Sequence, residues 1–125
     1  MKTKRIAAFL FAFCVLLLSA ACKADFVGNK IKTSDKYLLS FHALNTTEKE
    51  TLSLKEGEKL SVKIELTEGE VSLLVQNRGT EGDALYRGNG LQNESFTLIC
   101  KESGTYSIEA TGKAAKGKLL FEKIK

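Results

Sequence analysis

After residue 22 the chain alternates apolar and polar positions, and glycine interrupts the alternation at intervals. The pattern is clearest at Leu60, Val62, Ile64 and Leu66, which are separated by Ser61, Lys63 and Glu65. A period of two sends successive side chains to opposite faces, so this segment predicts a strand with one buried and one wet face. Comparable segments at residues 37–44, 50–54, 71–77, 84–87, 95–101, 105–111 and 118–124 bring the predicted strands to eight. Turn residues fill the breaks, among them Gly57, Gly69, Asn89-Gly90, Gly104 and the stretch from Gly112 to Gly117. No capped helical period follows residue 22. Short strands at this spacing predict an all-β fold, a single antiparallel β-sandwich or jelly roll of about eight strands over residues 37–125. The expected core is Leu39, Phe41, Leu52, Leu54, Leu60, Val62, Ile64, Leu66, Leu73, Val75, Phe96, Leu98, Tyr106, Ile108 and Phe121. Leu119, Leu120 and Phe121 are consecutive, so the alternation leaves the inward face of the last strand open.

The N-terminus follows another rule. Lys2, Lys4 and Arg5 precede an uncharged run of 16 residues, 6–21, rich in Leu, Phe and Ala. A membrane-spanning helix needs about 20 apolar residues, so residues 1–21 read as a secretory signal-peptide helix. Residues 22–36 are polar without sustained period and read as a flexible tether.

Leu18-Ser19-Ala20-Ala21-Cys22 resembles the lipobox of bacterial lipoproteins, with Ser19 where that pattern usually has Leu. The resemblance implies that Cys22 is diacylglycerated on sulfur and becomes the mature N-terminus. The expected location is then the extracytoplasmic side of a bacterial cell membrane, with a membrane partner held through the anchor at Cys22. Two acyl chains anchor stably where one binds only marginally, at about 0.8 kcal/mol per buried methylene. Ser19-Ala20-Ala21 also fits ordinary signal cleavage at the same bond. An unacylated Cys22 leaves open a disulfide to Cys100 that closes a long loop.

Composition bounds the rest. With 43% hydrophobic and 27% charged residues and no proline, the chain is ordinary globular material. Beyond the leader 104 residues remain, enough for one core. The net charge of +4 owes three units to the leader, so the remainder carries +1 and gives no reason to expect a nucleic-acid partner. Charge is segregated, with +2 over residues 22–36, −5 over 37–111 and +4 over 112–125. Lys113, Lys116, Lys118, Lys123 and Lys125 are candidates for contact with anionic lipid or wall polymer. Lysines on a terminal strand also block edge-to-edge pairing.

A second resemblance rests on Leu52-Ser-Leu-Lys-Glu-Gly57-Glu-Lys-Leu-Ser-Val-Lys-Ile64, Gly104-Thr-Tyr-Ser-Ile-Glu-Ala-Thr-Gly112 and Lys116-Gly-Lys-Leu-Leu-Phe121. Together these resemble the jelly-roll pattern of bacterial pre-peptidase C-terminal domains. The resemblance implies a noncatalytic accessory module. Some members bind calcium through acidic residues that the stretch 71–77 lacks, so no metal or cofactor is expected.

Candidate chemistry is sparse. His42 is the only histidine, and no Gly-x-Ser-x-Gly elbow accompanies it. Cys100 shares the face of Phe96 and Leu98, where a cysteine acts as a small hydrophobe. No catalytic residues are expected. The polar, glycine-rich loops 78–83 and 88–94 offer a ligand site built from Asp83, Tyr86, Arg87, Asn89 and Asn93, with Tyr86 stacking on a sugar ring. The same loops also read as plain turns, and Tyr86 reads equally as a core residue. The sequence thus points to a lipid-anchored, non-enzymatic envelope binding module for glycan or envelope polymer. The alternative is an accessory subunit that docks another envelope protein.

Overall fold

The computed structural model describes residues 25–79 and 84–124. Expectations for the leader, Cys22, Asp83 and Lys125 fall outside those residues. The described chain is all-β, with seven strands: β1 (Phe26–Lys32), β2 (Lys36–Leu44), β3 (Thr47–Leu54), β4 (Lys59–Asn77), β5 (Tyr86–Leu91), β6 (Asn93–Ile99) and β7 (Gly104–Ile124).

Two of these strands are long. β4 has 19 residues and β7 has 21, and they pair antiparallel from Lys59↔Ile124 to Asn77↔Tyr106. This ribbon bends in its middle and folds the sheet into two packed layers. The first layer runs β1-β2-β7-β4-β6 and uses the C-terminal half of β7 with the N-terminal half of β4. The second layer runs β3-β7-β4-β5 and uses the other halves. Strands that cross between layers through bulges make the corners of such packings.

The bend can be traced to spacing. Leu60, Val62, Ile64 and Leu66 are buried on even numbers, whereas Val71, Leu73 and Val75 are buried on odd ones. In β7 the buried set likewise shifts from Tyr106, Ile108 and Ala110 to Ala115, Leu119 and Phe121. An odd spacing between inward residues requires a bulge, because a regular strand would turn one set outward. The register slips at Leu66/Glu68 and Glu68/Glu70. Opposite, Ala114 takes a φ of 46° and Gly117 one of 149°, while Gly69 sits at 74°. A Cβ on Gly69 would run into the carbonyls of Lys113 and Ala114.

The eight expected strands become seven because residues 60–66 and 71–77 join through the bend, as do 105–111 and 118–124, and because β1 is added. β1 corrects the tether boundary: residues 26–32 form an edge strand on β2. Its inward positions hide it from periodicity. Lys30 and Lys32 stand opposite buried Leu39 and Tyr37, on the core side, and carry charge there. They meet Glu48 at 2.7 Å and Glu50 at 3.9 Å on β3, so ion pairs seal this rim of the sandwich. On the opposite rim Tyr86 of β5 stacks on Phe96 of β6, with ring centroids 4.6 Å apart.

Every expected core residue is buried except Phe96 and Leu98, which are partly buried on edge strand β6. Leu119 and Phe121 point inward and Leu120 outward. Tyr37 is fully buried, 5.8 Å from Phe121 between ring centroids, and its hydroxyl has no hydrogen-bond partner. Burial, followed by the fields of Glu48 and Glu50, raises its pKa well above the ordinary tyrosine value, so it stays neutral.

Two expectations follow for thermal or urea unfolding. Tyr37→Phe is neutral or stabilising by up to about 1 kcal/mol, because it removes a buried hydroxyl that bonds nothing. Gly69→Ala destabilises by about 2 kcal/mol or more, because a side chain must enter a positive-φ site closed by backbone.

Candidate functional site

The expected ligand residues do not converge. Asn93 is committed to the fold: its Nδ2 donates to the Leu66 carbonyl at 3.2 Å and its Oδ1 accepts from the Leu66 amide at 3.0 Å. It thereby satisfies both backbone groups of the residue where the β4 ladder breaks. Tyr86 is half-buried and stacked on Phe96, so a sugar does not find that ring face free. Burial raises its hydroxyl pKa, with a smaller push from Glu94. Arg87 and Asn89 are exposed on β5. The loop before β5 and the turn after it lie at opposite ends of a six-residue strand, about 17 Å apart. Loops adjacent in sequence are therefore separated by the strand between them.

The lysine candidates divide as well. Lys118 reaches Glu65 at 3.3 Å and Lys113 reaches Glu70 at 4.0 Å across the β4–β7 ladder. Lys116 stands opposite Glu68. The acidic middle and basic end of the chain thus become cross-strand neighbours at the bend. Lys123 stands opposite buried Leu60, on the core side.

His42 and Cys100 are far apart. The Cys100 amide donates to the Glu58 carbonyl at 2.8 Å, while His42 lines a groove with Glu65 and Leu66. Seven ladder positions separate Glu58 from Glu65, about 23 Å, so the two form no nucleophile–base pair. Cys100 is buried, and its thiol donates to the Glu102 carbonyl at 3.1 Å. The Cys22–Cys100 alternative lies outside the described residues.

What the fold assembles is two outer faces of opposite chemistry. On the second layer, ladder rows run Thr47–Thr111–Ser72, Lys49–Glu109–Leu74–Arg87 and Thr51–Ser107–Gln76. Thr47 and Thr111 share a hydroxyl bond of 2.7 Å, and Lys49 pairs Glu109 at 2.9 Å. This face is mostly hydroxyls and amides, crossed by one row that carries the Lys49–Glu109 pair, Leu74 and Arg87. On the first layer, one row runs Ile31–Leu38–Leu120–Lys63–Ser95 and another Ile124–Lys59–Ile99. The exposed large hydrophobics of the described residues, Val27, Ile31, Ile99 and Ile124, all fall on this face.

Near the bend the first-layer face dips into a groove of about 510 Å³, lined by Asn29, His42, Thr67, Lys116 and the Lys118–Glu65 pair. Bulges beside Gly28 and before Leu44 shape one wall. Among the described residues no group of three or more His, Cys, Asp or Glu side chains is placed to hold a metal ion. No described helix is long and apolar enough to cross a membrane.

No protein-family model matches the chain, and no curated protein matches it. Solved structures similar to this chain include the following three. PliG, a periplasmic inhibitor of g-type lysozyme from Aeromonas hydrophila, is 17% identical at a TM-score of 0.49, covering 81% of this chain and 88% of that one. A CBM4 structure is 10% identical at 0.42, covering 78% and 74%. An RmlC-like cupin from Desulfovibrio desulfuricans is 11% identical at 0.37, covering 82% and 89%. With TM-scores below 0.5, these likenesses carry no weight for function.

Sequence reasoning missed both faces, since a face is a property of register. Of the named ligand candidates, Arg87, Asn89 and Asn93 are exposed on the described surface, and Asn93 is tied to the Leu66 backbone. Asn93→Ala is expected to lower stability by about 1–3 kcal/mol, because the Leu66 backbone loses both partners. Tyr86→Ala is expected to cost about 2 kcal/mol through its lost stack and burial. Urea midpoints of both variants against the parent protein check this.

Proposed function

We propose that the protein is a lipid-anchored, extracytoplasmic, non-catalytic binding module that presents the outer face of its second layer to a hydroxyl-rich envelope polymer such as a glycan. One observation carries the reading. The second-layer face offers Ser, Thr, Gln and Arg side chains in three adjacent rows and no exposed large hydrophobic. Protein partners are met by apolar patches with polar rims, whereas a hydrated polysaccharide is met by arrays of donors and acceptors. Without an aromatic platform each sugar contact is weak, and anchoring many copies on one surface supplies the avidity.

The anchor rests on the leader and the lipobox-like Leu18-Ser19-Ala20-Ala21-Cys22. The resemblance to pre-peptidase C-terminal domains agrees with an accessory, noncatalytic role. The second reading, docking of another envelope protein, draws on the aliphatic face of the first layer.

Mass analysis of the N-terminal peptide of the mature protein is expected to find a diacylglyceryl group on Cys22. Co-sedimentation with purified envelope polysaccharide is expected to saturate, and Arg87→Ala and Thr51→Val each to weaken it by about 3- to 10-fold, the worth of one hydrogen bond. Unchanged binding by both variants, or none by the parent, overturns the glycan reading.

A further inference from the structure

The first-layer face combines three features. Its aliphatic side chains Val27, Ile31, Ile99 and Ile124 are each 45% to 55% exposed. Its charges are Lys36, Lys59, Lys63 and Lys118 against Glu65 and Glu122, a surplus of two positive. Glu65 is already paired with Lys118, so Lys36, Lys59 and Lys63 account for the surplus together with the single Glu122. At one edge of this face β1 begins with Phe26, four positions after Cys22. The chain from an acylated Cys22 therefore enters the domain at this face, within about 14 Å of the membrane interface.

We infer that the outer face of the first layer lies on the bilayer, its aliphatic side chains at the headgroup boundary and its lysines on anionic lipid. Aliphatic side chains beside lysines are the composition of interfacial membrane contacts, where apolar burial and attraction to anionic headgroups add. The second-layer face lacks that combination: Lys49 is paired with Glu109, Leu74 is half-buried, Arg87 is a single exposed cation and the remainder is hydroxyl and amide. The groove holding His42, Lys116 and the Lys118–Glu65 pair opens on this same face, where Lys116 adds a further cation. This orientation rests on acylation of Cys22, and it turns the hydroxyl-rich face outward toward the envelope.

The test uses the mature acylated protein in vesicles of phosphatidylethanolamine and phosphatidylglycerol, some carrying brominated acyl chains. Single cysteines at Thr97→Cys on the first layer and Ser107→Cys on the second take a bimane label, while Cys100 stays shielded at 2% exposure. Bromolipid is expected to quench the label at position 97 and leave that at 107 at full intensity. The double variant Lys36→Glu with Lys63→Glu is expected to lose that quenching without leaving the vesicles. Equal quenching at both positions, or none at 97, overturns the orientation. So does burial of position 97 in detergent without vesicles, which would assign the face to a second copy or a protein partner. Mass analysis of Cys22 in the same sample reports separately whether the anchor exists.

Discussion

The pairing of β4 with β7 holds the structure together. These strands share one ladder from Lys59↔Ile124 to Asn77↔Tyr106, and every other strand except β1 pairs with one of them. A flat ribbon of this length would leave an apolar face in water. The bend at Leu66 to Glu70 and Gly112 to Gly117 folds that face onto itself, and about twenty buried side chains become one core. The conformations that allow the bend are local: positive φ at Gly69, Ala114 and Gly117, and an Asn93 side chain that replaces missing ladder bonds at Leu66.

Once the ribbon is folded, the remaining problem is its two open rims. One is closed by aromatic stacking between Tyr86 and Phe96, the other by Lys30–Glu48 and Lys32–Glu50. Charges that point inward at an edge cost little while they remain half in water, and they discourage further strand addition. The fold needs nothing from either outer face, which leaves both free to differ. One carries hydroxyls and amides, the other aliphatic side chains and lysines, and the proposed division of labour between polymer and membrane follows from that difference.

Much of this was legible along the chain. Strict alternation at Leu60 to Leu66 and at Tyr106 to Ile108 marked the inner faces correctly, and the all-β class followed. The parity change between Leu66 and Val71 was also written there, as an odd spacing that a pair of separate strands explains equally well. β1 was hidden because its inward residues are Lys30 and Lys32, whose partners lie some twenty positions away on β3. The site suffered from the same cause. Asn93 looked like a loop ligand because its hydrogen bonds go to Leu66, 27 residues earlier, and Tyr86 read as either exposed or core because Phe96 reaches it only after β5 and β6 turn back. Contacts between distant residues have no local signal when the pattern of one strand is read alone.

The account depends on β4 and β7 acting as one continuous unit through the bend. Native-state amide hydrogen exchange resolved along both strands tests this most directly. The expected result is that residues 60–64 and 71–75 of β4, with their partners in β7, exchange slowest and with one common opening free energy. Two distinct opening free energies, one for each side of the bend, would show that the layers are separate units and contradict the account.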